Sequence, residues 1–577
     1  MNLNRLSVLV IIFLITTISV THSFPSGKCE RDNDACANIK QSYLATHYIN
    51  YADVKNCYES FPYNSTRSSE LIDILKKLYG NFYVYLNQAK EPPQPGFDYK
   101  PVDLLKEFDL LLEKDHQSDF EFMVVVLLCS RFFYPNCYSI FQFDQEIYLY
   151  SAVKPDGTQK DSSLVDCEVT HINGELVFDV LVEYAKTKSS VSRDLGVRFN
   201  SVLSSSIYHG EFAFRTKLPE NETISYDFLC SGQNHILTSL GMLPLQIVPY
   251  LTNLMMRIAV AAESLLKVES VADFYKLDEI GIVQVYSFGV PGVTTEKDIP
   301  NIYKSFVDGF NLLIQANVKK IVLDFTDNAG GIVDISSFLN ILLLNLNYQD
   351  VYTLPDDMRV SKIAEFAFNR STTENLVNDL IFNARLKRDI VTKQFFNTSE
   401  EFIGTNYYNR EGDEVRFTNN YMNKLTRYAT ESSKNITKLP WKPSDMIILT
   451  NGFCGSSCAL TTNFLYEIGQ ISTVAVGGFY DKPLSFALFA SGGVIPTNEL
   501  IANLQNLGFK RSTDPSFYNI KVSFAQFTHV ETYSIINPNE ILEFTFRPAN
   551  HRLYYDKDNL RNITLLWRQA ASFIESS

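Results

Sequence analysis

The sequence predicts a mixed α/β fold, an α+β assembly of more than one domain. Three observations predict it. The chain has 577 residues, more than one ordinary hydrophobic core encloses. Its apolar share, 45%, is that of a globular protein. From about residue 271 onward, short apolar strands and amphipathic helical stretches alternate in the order that builds parallel βαβ units.

The elements follow in chain order. Arg5 precedes the apolar run "LSVLVIIFLITTISV" and the small residues of "THS", so residues 1–23 read as a signal peptide ending at Ser23. The run of about 15 residues is short of the roughly 20 that span a bilayer. No later segment reaches that length without a charged or polar interruption. Residues 24–145 are mainly helical, because "SSELIDILKKLYGNFYVYLNQ" and "PVDLLKEFDLLLEK" place apolar residues at helical spacing around the loop "EPPQPGFDYKP". Residues 146–270 turn to short strands, "EIYLYSAV" and "CEVTHING", and to the strand and helix of "ELVFDVLVEYAK". Residues 271–577 open with "GIVQVYSF", the helix "DIPNIYKSFVDGFNLLIQANV" and the strand "KKIVLDF". After "DNAGG" comes the helix "IVDISSFLNILLLNL". A polar stretch over about 350–440 breaks the rhythm and reads as a surface insertion. "MIILT", a helix and "STVAVGG" make a second strand–helix–strand unit. The tail holds the strand-like "EILEFTF" and the helix "NLRNITLLWRQAASFIES".

Composition narrows the function. A net charge of -14 without a basic stretch argues against nucleic acid and anionic membrane surfaces as partners. Secretion agrees with nine cysteines: Cys29, Cys36, Cys57, Cys129, Cys137, Cys167, Cys230, Cys454 and Cys458. Their odd number leaves a thiol unpaired or intermolecular, and spacing does not give the connectivity. Glycosylation sequons stand at Asn64, Asn221, Asn369, Asn397, Asn435 and Asn562.

Two loops carry the chemistry, "VLDFTDNAGG" (322–331) and "ILTNGFCGSS" (448–457). Each follows a strand and opens a helix, the place where α/β sheets bind ligands. Glycine admits close backbone approach, and a helix N-terminus offers free N–H groups to a developing oxyanion. Read alone, the first is equally a helix-entry turn, and the second a serine cap beside a disulfide.

"KKIVLDFTDNAGG", "MIILTNGFCGSSCAL" and "VAVGG" together resemble the tail-specific protease family of C-terminal processing serine peptidases. The nearest branch is the secreted eukaryotic one related to the chlamydial protease-like activity factor. "PNCYSIFQF", "CEVTHINGELV" and "LEFTFRPANHRLYY" extend the likeness over most of the chain. The resemblance implies a crotonase-like, ClpP-like ββα core behind a helical N-terminal domain and a degenerate PDZ-like domain. It makes Ser456 the nucleophile and gives the oxyanion to backbone N–H groups of Gly330, Gly331 and Ser457. It makes Glu543 the acid that orients the base, with Glu540 as the alternative, and Cys454 and Cys458 the frame of the turn.

The base departs from the pattern. The family's histidine position falls near Ser130, in "VVVLLCSRFFY", which holds no histidine. His116, His171, His209 and His551 sit in stretches that match no catalytic part of the family. Other branches use a lysine beyond the next strand, where this chain has Lys482, beside Asp481. A desolvated lysine serves as a base near neutral pH. Three functions stay open: a serine endopeptidase, a pseudopeptidase that binds peptides or partners, and a carrier of apolar ligands. The carrier option follows from the retinoid-binding repeats that share the core fold and from the apolar stretch 236–262. A polypeptide substrate or peptide ligand is the expected partner. No metal site or cofactor fingerprint is present, and oligomeric state leaves no signal.

Overall fold

The computed structural model describes residues 35–36, 48–122, 132–133, 137–143, 146–153, 162–189, 191–203, 214–215, 223–240, 242–244, 262–268, 270–289, 299–346, 353–376, 379, 381–423, 438–488, 493–509 and 526–575. Its centre is a seven-stranded sheet whose spatial order follows the chain. The strands are β1 (Glu263–Val268), β2 (Ala272–Leu277), β3 (Ile280–Val285), β4 (Lys320–Asp324), β5 (Met446–Thr450), β6 (Ser472–Val476) and β7 (His551–Leu553). β1 to β3 run antiparallel, and β3 to β7 are parallel.

Parallel strands inside a sheet are buried on both faces, so the central β4 and β5 read as nearly continuous apolar runs rather than alternations, whereas the edge strand β7 is polar and half-buried. In β4 and β5, Ile321, Leu323 and Ile448 face the helices Ile299–Gln315, Val333–Leu343 and Ser457–Glu467. Val322, Ile447 and Leu449 face the opposite way, onto Trp567 and Ile563 of the final helix Ile563–Ala571. Trp567 is fully buried, and its Nε1–H donates to Asp324 Oδ2 at 2.8 Å, satisfying the one polar atom it carries inward.

N-terminal to this sheet, Ser65–Phe82 and Leu104–Glu113 are the two expected helices. Asn64 and Asp103 cap them by accepting from Arg67 N at 3.0 Å and Lys106 N at 3.3 Å. A six-stranded sheet built from Cys137–Phe143, Glu146–Val153, Glu168–Ile172, Glu175–Leu176, Thr223–Cys230 and Gln233–Leu240 carries the helix Val177–Thr187. The Cys167–Cys230 disulfide closes it.

The structure differs from the sequence-based expectation in two places. "EILEFTF" is a 3-10 turn at Leu542–Phe544, not a strand. The stretch reads as a strand because Leu542 and Phe544 are both buried, and a tight turn can bury alternate residues as a strand does. Residues expected as a surface insertion are built into a core. Phe368, Phe382, Phe396, Phe402 and Tyr421 pack with Leu71, Leu75 and Leu78 of the Ser65–Phe82 helix. These aromatics are spread thinly through polar sequence, so composition hides them.

Cys36–Cys57 and Cys454–Cys458 are also disulfide-bonded; all three bonds are compatible with an oxidising compartment. Among the described residues, no helix is long and apolar enough to cross a membrane. The expected signal peptide, the stretch 245–261 and the histidine position near Ser130 lie outside the described residues.

Candidate active site

The site forms where β4 and β5 end. Asp324 stops β4 by accepting from Thr326 N at 3.0 Å and Thr326 Oγ1 at 2.7 Å. Fully buried Asn328 then shapes the glycine loop. Its Nδ2 donates to Val285 O at 2.9 Å, and its Oδ1 accepts from Gly330 N at 2.8 Å. Beyond β5, Thr450 Oγ1 accepts from Gly452 N at 3.0 Å and Asn451 Oδ1 accepts from Phe453 N at 3.1 Å. The two loops are sewn together. Gly455 N donates to Asn328 O at 3.0 Å, and Asn451 Nδ2 donates to Asp327 Oδ1 at 2.5 Å.

Ser456 stands at the tip of the second loop as the cap residue of the Ser457–Glu467 helix. Its backbone has φ 49° and ψ -125°, a region nearly closed to residues with a Cβ. Its hydroxyl makes no capping bond to its own helix, and the residue is half-buried. The fully buried Cys454–Cys458 disulfide closes a short ring around it. Ser457, by contrast, is fully buried, and its Oγ has no hydrogen-bond partner among the described residues.

Gly330 touches this turn directly. A Cβ on Gly330, whose φ is 102°, would lie 2.5 Å from Gly455 O, 2.7 Å from Ser456 Cβ and 3.0 Å from Ser457 N. Its own N–H is occupied by Asn328. The next N–H is placed differently. Gly330 O accepts from Phe288 N at 2.8 Å, and in a trans peptide the N–H points opposite to the C=O. The Gly331 N–H therefore points away from Phe288 and is not taken up by that segment. Ser457 N, first in its helix, has no partner among the described residues. Of the expected oxyanion donors, the structure leaves Gly331 and Ser457 available and ties up the N–H of Gly330.

Glu543 has a partner other than the expected histidine. Its Oε1 takes an ion pair from Arg193, whose guanidinium also lies 4.0 Å over the Phe544 ring. Burial pushes the Glu543 carboxyl up, and Arg193 pulls it back down. Glu540, the alternative, binds Arg547 Nη2 at 3.0 Å, and Arg547 Nη1 donates to Asn463 Oδ1 of the nucleophile helix at 2.9 Å. Among the histidines, His116 Nε2 bonds Leu111 O at 2.7 Å and His551 stacks on Phe573 at 4.3 Å. His171 Nδ1 is 3.1 Å from Thr170 Oγ1, and His209 lies outside the described residues.

Lys482 is exposed, its ammonium 5.2 Å from the centre of the Phe479 ring. Its loop nevertheless runs along the serine turn. Thr450 Oγ1 donates to Phe486 O at 2.8 Å, and Leu488 N donates to Cys454 O at 3.0 Å. Sequence reasoning missed the residues that hold these loops, Asp194, Asn200, Asp327 and Asn451, and the Arg193 partner of Glu543. They carry no motif of their own; only the "TNG" around Asn451 marks a turn.

No family model matches the chain, and no curated protein matches it in sequence. Its structure is similar to that of mature CPAF in complex with lactacystin, with TM-score 0.55 and 12% identity over 88% of this chain and 98% of that one. It is also similar to mature CPAF by itself, with TM-score 0.52 and 12% identity over 88% of this chain and 96% of that one. At this identity the likeness is one of fold: a mixed α/β protease-like fold, as expected of the tail-specific proteases.

Proposed function

We propose that the chain is a secreted serine endopeptidase of the tail-specific type, with Ser456 as nucleophile. The observation that carries this is the Ser456 backbone. Strain of about 1–3 kcal/mol persists only where the surroundings impose it, and such strain gathers at functional sites. Here it presents an uncapped hydroxyl next to the Ser457 N–H, and among the described residues neither this N–H nor that of Gly331 has a partner. In this reading Ser456 Oγ adds to the scissile carbonyl carbon. Its proton passes to a base, Lys482 Nζ in this reading, and then to the leaving amine, while Gly331 and Ser457 N–H groups hold the oxyanion. Glu543 serves the site through Arg193 rather than by orienting a base. Asn64 and Asn397, both exposed, are the sequons best placed for glycans; Asn369 and Asn562 are half-buried, and Asn221 and Asn435 lie outside the described residues.

The pseudopeptidase reading draws on one observation: the exposure of Lys482, with Glu543 held by Arg193. A fluorophosphonate probe separates the two. Ser456 displaces fluoride and becomes phosphonylated in the enzyme, and Ser456→Ala abolishes the adduct. Folded protein that stays unlabelled at neutral and alkaline pH is a pseudopeptidase. Lys482→Ala is expected to remove peptide cleavage, and retained cleavage would eliminate Lys482 as base.

A further inference from the structure

The helix Leu195–Val202 belongs to the region before the central sheet, yet Gly196 to Val202 are all buried. It docks at the carboxyl ends of β5 and β6. Asn200, 4% exposed, reaches between two loops of the site. Its Nδ2 donates to Asn451 O at 2.8 Å and to Val476 O at 3.2 Å. Its Oδ1 accepts from Gly478 N at 2.6 Å. The fit is close: a Cβ on Gly477, whose φ is 86°, would lie 2.5 Å from Asn200 Oδ1. At the start of the same helix, Asp194 Oδ2 accepts from Ser485 N at 2.8 Å, at the far end of the loop that carries Lys482. Val197 fills the remaining space beside Gly452.

We infer that Asn200 is a positioning residue, which sets the serine turn and the 477–485 loop in register and makes nucleophile alignment depend on docking of the 195–202 helix. Both Nδ2 hydrogens and one Oδ1 lone pair of the side chain are used on backbone of the two loops. Asn451 passes the constraint on, because its side chain grips Asp327 of the glycine loop while its carbonyl is held by Asn200. One buried amide thus ties three loops that come from separate parts of the chain. The role rests on the enzyme reading above, and its test is chosen to be read apart from it.

Asn200→Ala and the isosteric Asn200→Asp are compared with wild type by two readouts. Asn200→Asp keeps the volume and the acceptor for Gly478 N but sets an acceptor against the carbonyls of Asn451 and Val476. Amide hydrogen exchange, on folded protein well under the melting temperature, is expected to quicken at Gly478 in Asn200→Ala. It is also expected to quicken at Phe453 and Gly455, which bond no atom of Asn200. Fluorophosphonate labelling is expected to lose kinact by roughly ten- to a hundredfold in both variants with KI held, the scale of a small misplacement of reacting groups. Unchanged exchange at Phe453 and Gly455 overturns the inference whether or not the protein is labelled. Labelled wild type with unchanged kinact in Asn200→Asp overturns it while leaving the enzyme reading intact. Unlabelled wild type with quickened exchange removes the enzyme reading and leaves the coupling standing.

Discussion

Ser456 and Ser457 are adjacent in sequence and opposite in circumstance. Ser456 holds a strained backbone and an uncapped hydroxyl; Ser457 buries its hydroxyl, which among the described residues has no partner. Thr461, one helical turn on, is likewise buried, and its Oγ1 has no partner among them. A buried hydroxyl left unsatisfied costs about 1–3 kcal/mol. Ser457→Ala and Thr461→Val are therefore expected to leave the melting temperature unchanged or to raise it, measured by calorimetry. A clear drop would show that those oxygens have partners. Gly330→Ala is expected to act the other way. Its Cβ meets backbone at Gly455 and Ser457 that cannot swing aside, so it should displace the serine turn and abolish labelling of Ser456. The family resemblance, not the residues alone, is what separates the two serines at the level of sequence. It could not show that Asn328 occupies the Gly330 N–H, because that depends on where the asparagine side chain turns.

At the scale of elements, β3 to β6 and the helices between them were legible, from short, mostly apolar runs and 3.6-residue spacing. β1, β2 and β7 were not: β7, His551–Leu553, is a polar three-residue piece that only its neighbour in the sheet makes a strand. What was not legible is long-range docking. Nothing in "RDLGVRFN" reveals that this helix ends on the serine turn, since its burial comes from a surface more than two hundred residues away in the chain. Glu543 shows the same limit. A glutamate at the expected position is visible in the sequence, and its arginine partner is not. Their side chains are 20% and 11% exposed for Arg193 and Glu543. Removing one member of such a pair strands the other charge. Arg193→Met is expected to lower stability by on the order of 3 kcal/mol, and Arg193→Met with Glu543→Gln to recover most of it. Chemical denaturation of both variants checks this; additive losses would mean that the two side chains are not coupled.

The molecule as a whole is held by a buried polar cluster where three regions meet. Glu531 is fully buried and accepts from Arg410 Nη2 at 2.6 Å, Gln88 Nε2 at 2.5 Å and Tyr533 Oη at 2.7 Å. Gln88 comes from the N-terminal region, Arg410 from the segment expected as an insertion, and Glu531 from the tail. Half-buried His529 lies beside this strand, with Nδ1–H donating to Gly493 O. Burial pushes its imidazole down to about 4 from an ordinary 6.5, and the nearby Lys387 charge pushes the same way. A group depressed in the fold contributes stability that is present above its unfolded pKa and lost as pH falls through its folded one. Stability is thus expected to decline between about pH 6.5 and 4, by up to about 3 kcal/mol from this residue. His529→Gln should flatten that limb of the melting-temperature profile; an unchanged limb would assign the acid sensitivity elsewhere. If these regions frame one reactive hydroxyl, the mass of the intact, folded protein after exposure to a fluorophosphonate reveals it. A single adduct mapped to Ser456, absent in Ser456→Ala, is the expected result, and folded protein without adduct at neutral and alkaline pH would contradict it.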